Sequence, residues 1–322
     1  MTLQLHRDKR QAGFTLIEVT LVCALVSALT LMIVEALADL SRSQAYTRGQ
    51  SRIAEAGDRI MRNVVQDLTY AIRVFSDDDD GGGYLRQMAY PKDQLMPGSR
   101  MPALTEIGFF ARDADSEPQT GNLLFFARHD QPRKVQVQVD GADQAVRIDT
   151  FRFGVYYLHV DPEGHLDLAR WASVPVALSS DLMVVKDSGE RVRALLQLHE
   201  AGIRHVWDKA APVGASLFEL TETGTTRVLP RSVKVPGDPS QQQESIVGSL
   251  RARVASNGRV GGLWTPAYAA ATVDGFPGGF EVKVDGPSTG KLVMARLMLR
   301  AGAGGSGDNF TEVKRIVSCR DG

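Results

Sequence analysis

The chain has 322 residues, 43% of them hydrophobic, which is enough apolar material for one large domain or two small ones. Its 37 basic and 38 acidic residues leave a formal net charge of -1, so no general cation excess argues for nucleic acid or another polyanion as partner. Its two cysteines, Cys23 in the most apolar run and Cys319 near the C-terminus, read as unbridged, because a disulfide would have to join a membrane segment to a folded domain.

Residues 1–13 (MTLQLHRDKRQAG) carry Arg7, Lys9 and Arg10 against Asp8 alone. Residues 14–34 (FTLIEVTLVCALVSALTLMIV) then hold a single charge, Glu18. At about 1.5 Å per residue this run is roughly 31 Å long, enough to cross a bilayer core of about 30 Å. The basic flank comes first, so the positive-inside rule keeps the N-terminus cytoplasmic and sends the rest of the chain across. An ordinary secretory signal has an apolar core of about 7 to 15 residues and a small-x-small cleavage site. Ala36-Leu37-Ala38 offers such a site, but the apolar run is too long and contains Glu18. A lipoprotein signal would place a small residue before Cys23, where Val22 stands.

The order basic leader, Gly13, Phe14, Thr15-Leu16-Ile17, Glu18 and unbroken apolar run resembles the cleavage and methylation motif of type IV prepilins and type II secretion pseudopilins. The resemblance covers about 25 residues. It implies that a membrane aspartyl peptidase cuts between Gly13 and Phe14 and methylates the new amino group of Phe14. A 13-residue leader is long for the family, which leaves the motif itself untouched. The residues make physical sense on their own terms. Glycine brings no side chain into a narrow protease cleft. Cleavage would leave an α-amino group on Phe14 that is largely cationic near neutral pH. Glu18, four residues on, lies one helical turn away on the same face. An ionised carboxylate inside a span costs about 2.5 to 3.5 kcal/mol at the bilayer centre and less near its surface, so it calls for a partner. The Phe14 amine, in the same or a neighbouring subunit, is the candidate. Without Gly13-Phe14, Glu18 would read as a headgroup-level acid on a plain anchor helix.

From Leu37 to Phe75 the sequence turns polar but keeps Ile53, Gly57, Ile60, Val64, Leu68, Ile72 and Phe75 at spacings of three and four. That stripe predicts one helix from Phe14 to Phe75, roughly 90 Å long, weakened by Gly49 and Gly57. Asp77, Asp78, Asp79 and Asp80 with Gly81-Gly82-Gly83 are expected to end it, since acids oppose the dipole at a helix C-terminus. The same acids are candidate calcium ligands, although their spacing does not match an EF-hand loop; a solvated loop is the other reading. Strands are expected at Glu106–Ala111, Asn122–Arg128, Lys134–Asp140, Val146–Val160, His165–Trp171, Leu182–Lys186, Ser216–Leu220, Gly279–Val284, Lys291–Arg300 and Thr311–Ser318. A helix is expected over Glu190–Trp207, capped by Asp187 or Ser188, and another around Ser245–Val254.

These elements predict an α+β fold whose layout resembles that of pilins, a long N-terminal helix with a transmembrane first half packed on an antiparallel β-sheet domain. The expected divisions are a leader at 1–13, a transmembrane or filament-core helix at 14–34, its amphipathic continuation at 35–75, an acidic, Gly- and Pro-containing loop at 76–104 and a β-rich periplasmic domain at 105–322. Size and layout are similar to PilW-like minor pilins and to the J-type minor pseudopilin. The missing proline in the apolar helix and the large domain favour a minor subunit. The resemblance implies other pilins or pseudopilins, the prepilin peptidase, an inner-membrane assembly platform and membrane lipid as partners. It also implies a single-pass location in the bacterial inner membrane.

Signals for catalysis are weak. The six histidines form no metal-ligand spacing. Gly286-Pro287-Ser288-Thr289-Gly290 matches G-x-S-x-G, but a strand pattern follows where a nucleophile elbow needs a helix, so a hairpin turn is expected. No catalytic residue, metal site or cofactor beyond the calcium candidate is assigned. The alternative function is a membrane-tethered periplasmic hydrolase or binding module that uses a prepilin-like signal.

Overall fold

A computed structural model describes residues 15–95, 98–105, 120–139, 141–160, 166–244, 253–254, 279–286, 290–303 and 307–319. The chain divides into two units, residues 1–49 and 50–322. Helix α1 runs from Leu16 to Thr69 and contributes to both. In the first unit, described residues 15–48 are exposed throughout, including Leu21, Leu25, Leu29 and Ile33. A helix this long whose apolar side chains have no core is built for a non-aqueous or protein surrounding.

In the second unit α1 buries Ile53, Ala56, Met61, Val64 and Leu68, the expected stripe with small shifts. After it come β1 (Ala71–Phe75), α2 (Asp79–Arg86), β2 (Leu104–Thr105), β3 (Leu124–His129), β4 (Arg133–Val139), β5 (Ala142–Ile148), β6 (Thr150–Val160) and β7 (Leu166–Ala172). Then follow β8 (Val176–Leu178), α3 (Ser179–Leu182), α4 (Ser188–Glu200), β9 (His205–Trp207), β10 (Leu217–Leu220), β11 (Thr226–Val228), β12 (Gln243–Glu244) and β13 (Arg253–Val254). The last described strands are β14 (Phe280–Asp285), β15 (Lys291–Ala303) and β16 (Gly307–Cys319).

Among the described residues fourteen strands form one sheet, and β4 with β5 forms a separate hairpin. The pairings are antiparallel except β8 with β9 and β14 with β2. Period-two alternation gives this sheet two apolar faces. Leu124 and Phe126 of β3, Tyr156 and Leu158 of β6, Val282 of β14 and Leu297 of β15 pack with the stripe of α1. Phe125, Phe153, Val155, Trp171 and Trp207 point the other way and meet Phe75 and Tyr84. Phe75 stacks on Phe125 with centroids 4.3 Å apart, and Trp207 meets Phe153 edge-on at 5.1 Å. A third cluster joins the β4–β5 hairpin to α3, α4 and the inner residues of β9 and β10.

The α+β class and the long helix are as expected, but several elements differ. The first helix stops at Thr69, and Ala71–Phe75 is a strand paired with β3. Ile72 and Phe75 fit a helical period on paper, yet so short an apolar run fits a strand equally, and pairing with β3 decides it. Within 76–104 the expected loop contains α2, so the four aspartates open a helix instead of closing one. The expected strand Val146–Val160 breaks at Asp149, whose N–H donates to Asp181 at 2.7 Å. Leu182–Lys186 is not a strand. Leu182 and Val185 are buried while Met183 and Val184 are exposed, which is the end of the short helix α3. Asp187 caps α4, its carboxylate accepting from the Glu190 N–H at 2.9 Å. That helix ends at Glu200 because Gly202 adopts φ +85°, and His205–Trp207 beyond it is strand β9. Of the helix expected around Ser245–Val254, only Arg253–Val254 is described, and it is strand. The strand expected at Glu106–Ala111 lies outside the described residues.

Candidate functional site

The described chain begins at the candidate assembly site. Thr15 is the N-cap of α1 and Glu18 its third helical residue, the S/T-x-x-E spacing of a capping box. The Thr15 N–H and hydroxyl both donate to Glu18 Oε2, at 2.9 and 3.0 Å, and the Glu18 N–H donates to Thr15 Oγ1 at 3.3 Å. The carboxylate therefore already sits at the positive end of the helix dipole. Gly13 and Phe14 themselves lie outside the described residues. Further along, Thr20, Ser27 and Thr30 each return their hydroxyl to the carbonyl four residues earlier, at 2.6, 2.8 and 2.7 Å. These bonds leave no hydroxyl in need of water, the condition a membrane-spanning helix must meet. An 18-residue window of α1 is long and apolar enough to cross a membrane, with none of it buried.

Two of the calcium candidates, Asp78 and Asp80, are engaged with the protein through their side chains, and Asp77 through its backbone N–H, which donates to Pro102 O at 2.8 Å. Asp78 is the N-cap of α2, accepting from Gly81 N–H at 2.6 Å on one oxygen and from the Ser76 hydroxyl at 2.7 Å on the other. Asp80 forms an ion pair with Arg73, and Asp79 lies in the first turn of α2. Among the described residues no three His, Cys, Asp or Glu side chains are grouped as a metal site. Gly286 and Gly290 flank the connection of the antiparallel strands β14 and β15, so the G-x-S-x-G match falls in a hairpin; Ser288 lies outside the described residues. His205 is buried, and that burial holds its imidazole below the usual range against the pull of Glu219.

Sequence reading missed Asp67. It lies on the buried side of α1 and accepts from Arg128 at 2.8 Å, Arg170 at 2.7 Å and the Tyr156 hydroxyl at 2.8 Å. Burial and the adjacent Asp67 carboxylate raise the Tyr156 phenol well above its ordinary range. The available signal was an aspartate directly before Leu68 in the stripe, with arginines on strands of alternating pattern.

Residues 8–34 match the family model described as the prokaryotic N-terminal methylation motif. No curated protein and no solved structure matches the chain. The matched segment contains Lys9 and Arg10 of the basic flank, Gly13, Phe14, Glu18 and the apolar run. The motif and the apolar helix fit anchoring in a membrane by the N-terminal segment. The chain therefore carries the signal of type IV prepilins and pseudopilins at the head of a mixed α+β, pilin-like fold.

Proposed function

We propose that the chain is a minor pilin or pseudopilin, a structural and assembly-initiating subunit of a type IV pilus-like filament. One observation carries the reading: a methylation motif at residues 8–34 leads into a helix whose apolar first part is exposed from end to end. Peptidase cleavage after Gly13 frees the Phe14 amine, which is then methylated. In the filament this amine meets Glu18 of a neighbouring subunit, replacing or sharing the Thr15 hydrogen bonds that cap the helix in a single chain. The apolar helices pack together as they leave the lipid, and the sheet domain, on the periplasmic side, presents surfaces to partner minor subunits. Related subunits, the peptidase, an inner-membrane platform and lipid are the partners on this reading.

The test is intact mass and N-terminal sequencing of the protein from cells with and without the prepilin peptidase. A mature chain starting at methylated Phe14, formed only with the peptidase, is expected. Retention of residues 1–13 in peptidase-competent cells would refute the proposal. Scoring piliation against secretion and DNA uptake in a deletion strain then assigns the machine.

A further inference from the structure

In the second unit a cavity of about 520 Å³ lies between α2, the turn at 213–215 and the segment 229–234. We propose that it binds a phosphate-bearing ligand, held by Arg86, Arg231 and Lys234 with its organic body against Val213, Leu229 and Pro230. This goes beyond the filament reading and does not rest on it.

The charge balance is the first argument. Three cations line the cavity against one acid, Asp79, which leaves two net positive charges. Arg86, Arg231, Lys234 and neighbouring Lys92 form no ion pair with a carboxylate in the described structure. Arg86 and Lys234 also lie close enough to Lys92 to act on it, since burial and then their charges hold the Lys92 ammonium below its usual range. Cations crowded together in a chain with as many acids as bases incur repulsion that a bound dianion would relieve. Two guanidinium forks beside an ammonium match a phosphate, with its several terminal oxygens, better than a single carboxylate.

Preorganisation is the second. The backbone of Val235 donates to Gln87 O and that of Ala89 to Val235 O, both at 2.9 Å, which pins the 229–234 segment to the end of α2. Lys234 Nζ donates to the Arg86 carbonyl, and Gln87 Nε2 to Val213 O at 2.8 Å. Gly83 lets the 213–215 turn approach, since a Cβ there would stand 2.5 Å from Val213 Cγ1. The cations are thus carried on fixed backbone around an apolar floor, an arrangement that lowers the ordering cost of binding.

Calorimetric titration of the full chain in detergent would use glycerol 3-phosphate, inorganic phosphate and citrate. Saturable one-to-one binding of glycerol 3-phosphate is expected, weakened at least tenfold by Arg86→Gln combined with Lys234→Gln and falling with added salt. Arg231→Gln, whose side chain is exposed, should weaken it too without changing the melting temperature. Tighter binding of the ester than of inorganic phosphate is expected and identifies an organic phosphate, such as a lipid headgroup, as the source; equal binding would identify the free ion and overturn the role given to Val213, Leu229 and Pro230. Absence of saturable binding, affinity unchanged in Arg231→Gln, or citrate binding as tightly as either phosphate would each overturn the proposal.

Discussion

Asp67 shows how one side chain can tie the two halves of the folded unit together. It belongs to α1, yet its three partners come from β3, β6 and β7, so the carboxylate fastens the helix to the centre of the sheet. Removing one member of such a buried set leaves charges without compensation, which typically costs about 3 to 5 kcal/mol. Asp67→Ala should therefore lower the urea midpoint of the full chain by a corresponding amount, whereas substitution of exposed Asp39 should leave it unchanged. Glu281 provides a pH-dependent counterpart. It lies on β14 beside Arg296, which also holds Glu312 at 2.7 Å. Burial outweighs the attraction of Arg296 and Lys283 and pushes the Glu281 carboxyl up to about 7. Below the ordinary value of 4.5 the folded and unfolded chains both hold this proton; between 4.5 and about 7 only the folded chain does. Stability from this group is thus full at low pH and lost as pH rises through 7, by up to roughly 3 kcal/mol. Urea unfolding from pH 4.5 to 8 should show that downward slope in the native chain and a flatter one in Glu281→Gln. An unchanged slope in the variant would remove Glu281 as its source.

At the scale of elements, two glycines decide how helices meet what they pack on. A Cβ on Gly57 would fall 2.7 Å from Val313 Cγ2, so α1 approaches β16 closely because that residue lacks a side chain. Gly57→Leu should destabilise by about 1 to 3 kcal/mol through overpacking, despite the better helix propensity of leucine. Gly81 is tighter, with a Cβ position only 2.1 Å from the Ser76 carbonyl oxygen. Its N–H also completes the Asp78 cap. Gly81→Ala should displace α2 and change the environment of Trp207, whose Nε1–H donates to the Tyr84 hydroxyl at 3.2 Å. Tryptophan fluorescence reports this directly. Asp78→Ala, which removes the cap and the Ser76 hydrogen bond without adding a clash, should cost about 1 to 2 kcal/mol and leave the emission nearly native.

At the scale of the whole molecule the first unit stands apart from the second in physical character. Residues 16–40 expose leucine, isoleucine, valine and methionine that no part of the described chain covers. Such a surface is stable only in lipid or among similar helices. Val26→Arg places a charge near the middle of the span, where insertion is disfavoured by about 2.5 to 3.5 kcal/mol. Membrane fractionation should find less of this variant in the bilayer, while Val65→Arg, beyond the span, should fractionate as the native chain does. Undiminished membrane recovery of Val26→Arg would argue against the helix as anchor.

The N-terminal signal, the apolar span and most strands were legible in the residues, because each rests on local order or on a short period that neighbours in the chain display. Gly13, Phe14 and Glu18 form a pattern without any help from distant residues, and β10, β14 and β16 announce themselves by composition. Tertiary structure alone decided where the first helix yields to β1, because Ala71–Phe75 satisfies either period until β3 pairs with it. It also decided that four aspartates begin a helix, through bonds to Ser76 and Gly81 and a pair with Arg73 that charge counting cannot foresee. The same holds for Asp67, whose partners lie 61 to 103 residues further along the chain, and for the basic cavity, which sheet pairing and the bonds between α2 and the 229–235 segment assemble from distant parts of the chain.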